Sequence, residues 1–274
     1  MASKPVRRVQ DFHNKKAAGE KIAMVTCYDY TFGRLLARTS VDCVLVGDSL
    51  GNIVQGHRNT LPVTLEEMIY HTRAVRRALP DTFLIADLPF LSYQSSVRDA
   101  ILAAGRLVKE GGCDAVKLEG GSYFKQTISA LIACGIPVMG HLGLTPQWIL
   151  QLGGHRLQAK SKEAQESLLH EAKALEEAGI FALVLEMVPS EAAARCQREL
   201  SIPVIGIGSG KETDGQVLVL TDLLGLDPDF KPRFARHFAK LGGQVLQAVE
   251  EYNQAVREGS FPSAEESFFS REDS

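Results

Sequence analysis

The hydrophobic residues of this chain fall into short continuous runs, separated by longer stretches in which apolar positions recur with helical spacing. A run that is apolar on both faces is typical of a parallel strand covered by helices, and alternation with helical stretches indicates crossover connections. The pattern predicts strands at eight segments: 21–28, 41–48, 82–88, 114–119, 137–142, 182–188, 203–208 and 217–221. Eight parallel strands joined by helices would close into a (β/α)8 barrel, an α/β fold.

The stretches between these strands carry helix start and stop signals. Helices are predicted at six segments: 29–39, 64–79, 96–110, 122–134, 161–178 and 190–200. Thr64 and Glu67 have the spacing of a capping box. Only eight residues separate the last two predicted strands, fewer than a crossover normally needs. Either the seventh helix is vestigial or the eighth strand is misplaced.

Helical segments also flank the predicted barrel. Residues 6–18 would form an N-terminal helix within an extension at 1–20, and 232–258 a long helix within a C-terminal region at 232–274. The second helix has a possible break at Gly242-Gly243. With no linker or repeat, the chain is predicted to be one domain over 1–274. An open doubly wound sheet is the competing architecture, although no glycine-rich phosphate loop follows the first strand.

Composition narrows the class of protein. The 274 residues carry a net charge of −3, which gives no reason to expect nucleic acid or a membrane surface as a partner. Five cysteines without a CxxC pair favour a reducing compartment, with Cys43 and Cys113 as small buried residues. Neither a secretory signal nor a run of about 18 apolar residues is present, so a cytoplasmic location is expected.

Four of the hydrophobic runs end on a carboxylate, at or near the end of a predicted strand: Asp48, Asp87, Glu119 and Glu186. The C-terminal ends of barrel strands are where α/β barrels gather their catalytic groups. Taken singly, each carboxylate could equally cap a turn or pair with a surface lysine. Four at equivalent positions would repel one another without a cation, and Lys117 shares a strand face with Glu119. The set therefore indicates a functional site.

The donor set also predicts the kind of cation and substrate. Oxygen ligands without clustered histidine or cysteine favour Mg²⁺ or Mn²⁺ over zinc. Bound Mg²⁺ would leave positions for a substrate that supplies two oxygens, such as a 2-oxo acid, and would acidify the neighbouring C–H. A nearby carboxylate would then act as the base.

Two further polar residues lie at the same predicted rim. His141 ends the fifth strand, and Ser49 follows Asp48 directly. For His141 a hydrogen-bonding structural role is as plausible as contact with substrate. Ser49 offers a hydroxyl and a backbone N–H to a carboxylate, or is an ordinary turn serine.

Several short motifs, in this order and spacing, resemble those of the ketopantoate hydroxymethyltransferase family over most of the chain. They are Thr26-Cys27-Tyr28-Asp29, Val46-Gly47-Asp48-Ser49-Leu50-Gly51, Gln55-Gly56-His57, Thr60-Leu61-Pro62-Val63-Thr64, Ala86-Asp87-Leu88-Pro89-Phe90, Val116-Lys117-Leu118-Glu119-Gly120-Gly121, Gly140-His141-Leu142-Gly143-Leu144-Thr145-Pro146-Gln147, Leu185-Glu186, Ile205-Gly206-Ile207-Gly208 and Thr213-Asp214-Gly215-Gln216. Each motif alone would be weak evidence, whereas together they are highly specific.

The resemblance implies a barrel of the phosphoenolpyruvate/pyruvate type that transfers a hydroxymethyl group from 5,10-methylenetetrahydrofolate to 3-methyl-2-oxobutanoate. The product, 2-dehydropantoate, leads to pantothenate. By resemblance, Asp48 and Asp87 would hold Mg²⁺, with Glu119 at the metal, often through water. Glu186 would be the proton acceptor. The substrate-binding residues would be Asp48, Ser49, Asp87 and Lys117, to which we add His141. Family members form homodecamers, as pentamers of dimers, which is the expected assembly here.

The chain departs from the family pattern at a few positions, and two alternative functions stay open. Ala159 stands where a loop glycine is common, Ser209 where alanine is, and Glu266 where histidine is frequent. None touches the predicted metal, so they bear on loop closure and tail packing. An Mg²⁺-dependent C–C or P–C lyase would share the barrel without needing folate. A non-catalytic barrel subunit would have no reason to retain the charge cluster.

Overall fold

Eight parallel strands close into a barrel in sequential order in the computed structural model, which describes residues 6–229 and 231–270. The strands are β1 Ile22–Thr26, β2 Cys43–Val46, β3 Phe83–Asp87, β4 Ala115–Glu119, β5 Val138–Gly143, β6 Ala182–Glu186, β7 Val204–Ile207 and β8 Gly215–Leu218. Every neighbouring pair, including β1 with β8, is parallel. The expected (β/α)8 barrel is confirmed, and the open sheet is wrong.

Helices follow the strands as their capping signals predict. They are α1 Val9–Ala18, α2 Tyr30–Leu36, α3 Leu50–Ile53, α4 Leu65–Ala78, α5 Val97–Arg106, α6 Lys125–Ala133, α7 Ile149–Leu152, α8 Lys162–Glu177, α9 Ser190–Glu199, α10 Leu220–Leu224 and α11 Leu241–Glu258. The capping box of α4 is confirmed: Glu67 N donates to Thr64 Oγ1 at 3.3 Å, and Thr64 N donates to Glu67 Oε2 at 2.7 Å. These bonds satisfy backbone donors that the first turn leaves unpaired.

The barrel core consists of buried strand residues, and α1 covers the end at which the strands begin. All residues of β2, β3 and β4 are buried, as expected for strands enclosed on both faces. Phe12 of α1 packs edge-to-face against Phe83 and Phe181, with ring centroids 5.2 and 5.1 Å apart. Cys43 and Cys113 are buried, as predicted. With one end covered by α1, the opposite end is the place for a site.

The eighth strand starts two residues earlier than predicted, and no helix lies between it and β7. Gly215 and Gln216 pair with Ile22 and Ala23 of β1, although neither is apolar enough to signal a strand. A side chain at 215 would collide with the carbonyl oxygen of Ile22, so glycine is needed there. An extended chain covers about 3.3–3.6 Å per residue, so residues 208–214 return along the barrel without a helix. The seventh helix is therefore vestigial.

The C-terminal helix begins at Leu241 rather than at residue 232. Backbone donors just before and within its start bind α10 and the residue after it instead of continuing a helix: Phe238 N donates to Leu223 O at 2.8 Å and Gly242 N to Gly225 O at 3.0 Å. Gly242 lies in the first turn of α11, and the helix continues through it. The N-terminal helix similarly starts at Val9, where Asp11 accepts the backbone N–H groups of Arg7 and Arg8.

The chain divides into two compact units, Met1–Leu220 and Thr221–Ser274. The first contains the whole barrel, and the second contains α11. That the chain is a single domain stays a prediction. In the part of the chain that the structure describes, no helix is long and apolar enough to cross a membrane.

Candidate active site

The register of the barrel strands brings the predicted site residues to one rim. Asp87, the last residue of β3, pairs with Lys117 of β4, and Glu119 at the end of β4 pairs with His141 of β5. Glu186 ends β6, and Asp48 follows β2 by two residues. Parallel strands end at the same edge, so side chains far apart in sequence meet there.

Asp48, Asp87 and Lys117 form the buried inner part of the site. Lys117 Nζ lies 3.0 Å from Asp87 Oδ1, and the backbone N–H of Asp48 donates to Asp87 Oδ2 at 3.1 Å. All three side chains are buried. Asp87 Oδ1 has no partner in hydrogen-bond geometry within the described residues, in spite of the close ammonium group. A buried carboxylate oxygen left in this state is available to a further ligand.

Glu119, His141 and Glu186 form a second row of charges along the rim. His141 Nδ1 lies 3.4 Å from Glu119 Oε1, and His141 Nε2 lies 3.3 Å from Glu186 Oε2. Lys117 Nζ also approaches His141 Nδ1, at 3.3 Å. Lys117 and Glu119 therefore meet the same imidazole, which confirms that they share a face. The Glu186 side chain is 17 % exposed, whereas that of Glu119 is 2 % exposed, so Glu186 is the carboxylate open to the barrel mouth.

Burial and crowded charges shift the protonation equilibria of this cluster. Burial raises the pKa of Asp48 well above its usual range, and the charges of Asp87 and Glu119 add to the effect. Burial also raises the pKa of Asp87, although Lys117 opposes the shift. Burial and Lys117 lower the pKa of His141, but contacts with Glu119 and Glu186 outweigh them and raise it to about 9. The charged forms of the two aspartates are thus disfavoured in this cluster, and a bound cation would favour them.

Lys117 stays charged in this setting. Burial lowers its pKa, but the carboxylates of Asp87, Glu119 and Asp48 outweigh burial and raise it overall. An ammonium group fixed among carboxylates can offset the charge of an anionic ligand as well as that of its neighbours.

Ser49 is held in place by a residue from the neighbouring strand end. Its Oγ lies 2.8 Å from the hydroxyl of Tyr28, which follows β1. Burial raises the pKa of Tyr28, so the phenol keeps its proton. A Cβ on Gly47 would lie 2.9 Å from Ser49 Oγ and 3.4 Å from Asp87 Oδ2, so glycine lets these groups approach.

The backbone around Glu186 is constrained on both sides. Gly143 adopts a φ of +93°, and a Cβ there would collide with the carbonyl oxygen of Glu186. That oxygen instead accepts the N–H of Leu144 at 2.8 Å. The next residue, Met187, has a φ of 46°, uncommon for a non-glycine residue, and its carbonyl accepts the N–H of Gln158 at 2.8 Å. These contacts fix the backbone position from which the Glu186 side chain extends.

Sequence reasoning did not assign roles to Gln147 and Tyr93, which the structure places among the carboxylates. Gln147 Nε2 donates to Asp48 Oδ2 at 2.8 Å, and the Gln147 backbone N–H donates to Glu119 Oε2 at 2.9 Å. The Tyr93 hydroxyl lies 3.0 Å from Gln147 Oε1 and 2.9 Å from the backbone oxygen of Glu119. Gln147 belongs to a resemblance motif, which was the available signal, whereas Tyr93 lies outside every motif.

The residues present fit a divalent cation. Four carboxylates (Asp48, Asp87, Glu119 and Glu186) face two basic groups, Lys117 and His141, which leaves a negative excess at the rim. Over residues 6–229 and 231–270, no three Asp, Glu, His or Cys side chains are arranged so that they could hold a metal ion by themselves. Mg²⁺ does not need one, because it binds through one or two carboxylates and keeps several waters or substrate oxygens.

Solved structures with the same architecture support the fold alone. One is 2,3-dimethylmalate lyase, a member of the PEP mutase/isocitrate lyase superfamily, with a TM-score of 0.61 and 17 % identity over 96 % of this chain and 92 % of that one. Another is phosphonopyruvate hydrolase in complex with oxalate and Mg²⁺, with a TM-score of 0.60 and 12 % identity over 94 % and 92 % of the two chains.

Curated relatives are much more similar in sequence, and each is named 3-methyl-2-oxobutanoate hydroxymethyltransferase. The protein from Leptospira interrogans serovar copenhageni is 54 % identical over 94 % of this chain and 97 % of its own. That from Moorella thermoacetica is 54 % identical over 92 % and 94 % of the two chains. That from Thermus thermophilus is 51 % identical over 96 % and 99 %.

A family model described as ketopantoate hydroxymethyltransferase matches residues 7–264. The match extends through the barrel and α11. It includes every residue of the rim cluster, by which we mean Asp48, Asp87, Lys117, Glu119 and Glu186. With relatives about half identical over nearly their whole length, it confirms the resemblance that the sequence motifs predict. The chain belongs to the ketopantoate hydroxymethyltransferase family.

Proposed function

We propose that this chain transfers a hydroxymethyl group from 5,10-methylenetetrahydrofolate to 3-methyl-2-oxobutanoate, giving 2-dehydropantoate for pantothenate synthesis. The observation that carries the proposal is the intact rim cluster of Asp48, Asp87, Lys117, Glu119 and Glu186 within a chain of this family. The relatives that it matches over nearly their whole length carry the name of this activity.

Asp48 and Asp87 would hold Mg²⁺, with Glu119 at the metal through water. Bound there, the ion would polarise the keto group of the oxo acid and acidify its C3–H. Support for the two aspartates comes from their burial and from Asp87 Oδ1, which meets the Lys117 ammonium but has no partner in hydrogen-bond geometry among the described residues. Lys117, 3.0 Å from Asp87, would offset the charge of the substrate carboxylate. Ser49, oriented by Tyr28, would donate its hydroxyl or backbone N–H to the same carboxylate.

Glu186 would take the C3 proton of the oxo acid onto its carboxylate. It is the rim carboxylate with the most exposed side chain, and it lies outside the contacts among Asp48, Asp87 and Lys117. His141, 3.3 Å from Glu186 Oε2 and 3.4 Å from Glu119 Oε1, would hold both carboxylates apart and orient them. The carbanion left at C3 would form the new C–C bond to the one-carbon unit of the folate. Water would supply the hydroxyl oxygen of the product, and the C–N bonds of that carbon would break to release tetrahydrofolate.

Isotope exchange tests the function and its first step. In D₂O with Mg²⁺ but no folate, the enzyme should exchange the C3 hydrogen of 3-methyl-2-oxobutanoate, followed by proton NMR. Adding 5,10-methylenetetrahydrofolate should divert the same substrate to 2-dehydropantoate. A C–C or P–C lyase has no reason to accept this branched acid, and a non-catalytic subunit would give neither exchange nor product. Failure to form 2-dehydropantoate with folate present would overturn the proposal.

If product forms with folate but no exchange occurs without it, only part of the proposal is contradicted. That result would support the transfer and contradict a proton removal that is independent of folate. Replacing Mg²⁺ by chelator should abolish both signals. The identity of the metal as Mg²⁺ rests on the all-oxygen donor set.

For the assembly we infer a homodecamer, a pentamer of dimers. Support comes from α11, which exposes large apolar side chains that a neighbouring subunit would cover: Val245, Leu246, Val249, Tyr252 and Val256. Light scattering at micromolar concentration should give about ten times the mass of the 29.9 kDa chain. A stable monomer would contradict it. The cytoplasmic location stays a prediction.

A further inference from the structure

We propose that Gln147 is a positioning residue that selects which oxygen of Asp48 and of Glu119 faces the divalent cation. The inference rests on the proposed metal site and goes beyond it, because it concerns a neutral residue that would not touch the metal. Gln147 lies just after β5, in the turn at Pro146–Trp148, and is 4 % exposed.

One residue controls two carboxylates through separate groups. The side-chain Nε2 of Gln147 donates to Asp48 Oδ2 at 2.8 Å and to the carbonyl oxygen of Leu88 at 2.9 Å. The backbone N–H of Gln147 donates to Glu119 Oε2 at 2.9 Å. The strand ends of β2, β3 and β4 are thus tied to one residue of the loop after β5.

The amide can adopt only one orientation. Gln147 Oε1 accepts from Gln94 Nε2 at 2.9 Å and lies 3.0 Å from the Tyr93 hydroxyl. Turning the amide over would place Oε1 against Asp48 Oδ2 and the Leu88 carbonyl, which are both acceptors, and would face Nε2 toward the Gln94 donor. A misplaced donor or acceptor in a buried site costs about 1–3 kcal/mol. Nε2 is therefore held toward Asp48.

The two oxygens of each carboxylate therefore have different roles. With Asp48 Oδ2 and Glu119 Oε2 each bound to an N–H of Gln147, the other oxygen of each side chain is the one that can turn to a cation or its water. The amide adds no charge, so it holds the carboxylates without competing with the cation as a lysine would. A glutamate at 147 would instead add a fifth negative charge and place an acceptor against Asp48.

The competing explanation is that Gln147 only satisfies buried groups, namely the Leu88 carbonyl and the Tyr93 hydroxyl. Both explanations predict some loss of stability when the side chain is removed. Only the positioning role predicts that affinity for the metal falls while the cation ligands themselves are unchanged. The test therefore measures metal binding directly, apart from turnover.

Gln147→Met is the variant that separates the two contacts. Methionine has a similar length and leaves the backbone N–H on Glu119, but it cannot donate to Asp48. Titration calorimetry with Mg²⁺, and Mn²⁺ titration followed by electron paramagnetic resonance, should show affinity lowered by about 10–100-fold, the usual effect of removing a partner of a ligating carboxylate. In steady state, half-saturating Mg²⁺ should rise, and kcat should recover at high Mg²⁺.

Gln94→Met is the matched control. It makes the same chemical change in a neighbouring glutamine that contacts Gln147 Oε1 but none of the four carboxylates in the structure described here. Asp48 and the Leu88 carbonyl still hold Nε2 of Gln147 in this variant, so its metal affinity should fall much less than that of Gln147→Met. Tyr93→Phe removes only a hydroxyl that faces Gln147 Oε1 and the Glu119 backbone, and should weaken the metal less than Gln147→Met. It provides the test if Gln147→Met does not fold.

The outcomes distinguish this inference from the proposed function. Unmodified enzyme that binds Mg²⁺, with Gln147→Met and Tyr93→Phe binding it equally well, would overturn the positioning role and leave the metal site standing. Unmodified enzyme that binds no divalent cation would overturn both. Lower kcat in Gln147→Met that high Mg²⁺ does not restore, at unchanged affinity, would also count against positioning of the metal-facing oxygens.

Discussion

The two ends of the barrel both bury lysine–aspartate pairs, but they differ in how the charges are matched. Where the strands begin, Lys15 lies 3.0 Å from Asp42 and Lys16 lies 2.8 Å from Asp214. Each aspartate also accepts a backbone N–H from the first or second residue of a strand: Asp42 from Ala23 at 2.8 Å, and Asp214 from Val204 at 2.9 Å. Lys15 also lies 3.5 Å from Glu20, whose side chain is half-exposed, but each buried aspartate here has one lysine of its own. The remaining lone pairs of the aspartates accept from the backbone and, for Asp214, from Gln197 Nε2.

Where the strands end, the same residue types are unequal in number. Lys117 faces Asp87, with Asp48 and Glu119 nearby, and the pKa values of both aspartates are raised. Asp87 Oδ1 and His141 Nε2 find no hydrogen-bond geometry among the described residues. A matched buried pair joins elements of the fold, whereas an unmatched cluster costs stability and is retained for a ligand. The comparison therefore separates a structural end of the barrel from a functional one.

The largest expected effect tests the functional end. Glu186→Gln keeps the shape of the side chain and removes its basicity, and loss of a general base typically lowers the rate by about 10²–10⁴-fold. Turnover should fall by that factor, and C3–H exchange should fall with it. Affinity for Mg²⁺ and the melting temperature should stay unchanged. Near-normal turnover would remove Glu186 from the proposed role.

The second prediction concerns the opposite end, where stability rather than chemistry should respond. Asp214→Ala leaves Lys16, whose side chain is only 14 % exposed, without its acid and removes the acceptor for Val204 N–H. Breaking a buried pair from one side costs about 3–5 kcal/mol in the free energy of unfolding. Urea unfolding measures it, and kcat of the folded fraction should be normal.

The exposed pair Lys125–Glu177 supplies the control for that measurement. Both of its side chains are largely open to solvent, and an exposed ion pair contributes about 1 kcal/mol or less. Glu177→Ala should therefore change the free energy of unfolding little. Equal losses in the two variants would contradict the structural assignment of the matched end.

The third prediction is a substitution at the functional end that should stabilise the protein instead of destabilising it. Asp48→Asn removes one buried charge and keeps an oxygen that can accept from Gln147. Relief of the repulsion should raise the free energy of unfolding of the metal-free protein by about 0.5–2 kcal/mol, while Mg²⁺ binding is lost. A stabilising loss of function of this kind would be the signature of an unmatched cluster.

The pH dependence of that gain follows from the raised pKa of Asp48. The folded protein binds this proton more tightly than the unfolded chain, so metal-free stability is lost as the pH rises from 3.8 through the folded-state pKa. The amide in the Asp48→Asn variant does not titrate, so the advantage of the variant should vanish at low pH and grow as the pH rises. Urea unfolding in chelator across this range measures it, and an advantage independent of pH would contradict the mechanism.

The smallest effect concerns backbone strain beside Glu186. Ala159 has a φ of 52° in the loop whose Gln158 N–H binds Met187. A left-handed conformation costs a non-glycine residue about 1–2 kcal/mol, while glycine loses up to about 1 kcal/mol more chain entropy. Ala159→Gly should therefore stabilise the protein by roughly 0–1 kcal/mol. Ala248→Gly, at an exposed position in the middle of α11, should destabilise by about 1 kcal/mol. Destabilisation by both would contradict the strain.

Much of the fold and of the rim cluster could be predicted because the signals are local. Thr64 and Glu67 cap α4 through bonds three residues apart, and runs such as 82–88 are apolar because both strand faces are covered. The carboxylates of Asp87 and Glu119 mark strand ends directly. The eighth strand was displaced because Gly215 and Gln216 enter the sheet through backbone pairing with β1, which no apolar pattern records.

The sequence alone determined the barrel, the strand-end charges and, through motifs of this order and spacing, the family. Tertiary structure decided which charges meet: that Lys16 pairs with Asp214 across 198 residues, and that Gln147 reaches Asp48 across 99. It also decided that one end of the barrel is charge-matched and the other is not. The physical reason is that strand periodicity assigns a side chain to a face, whereas its partner depends on register and closure of the whole barrel.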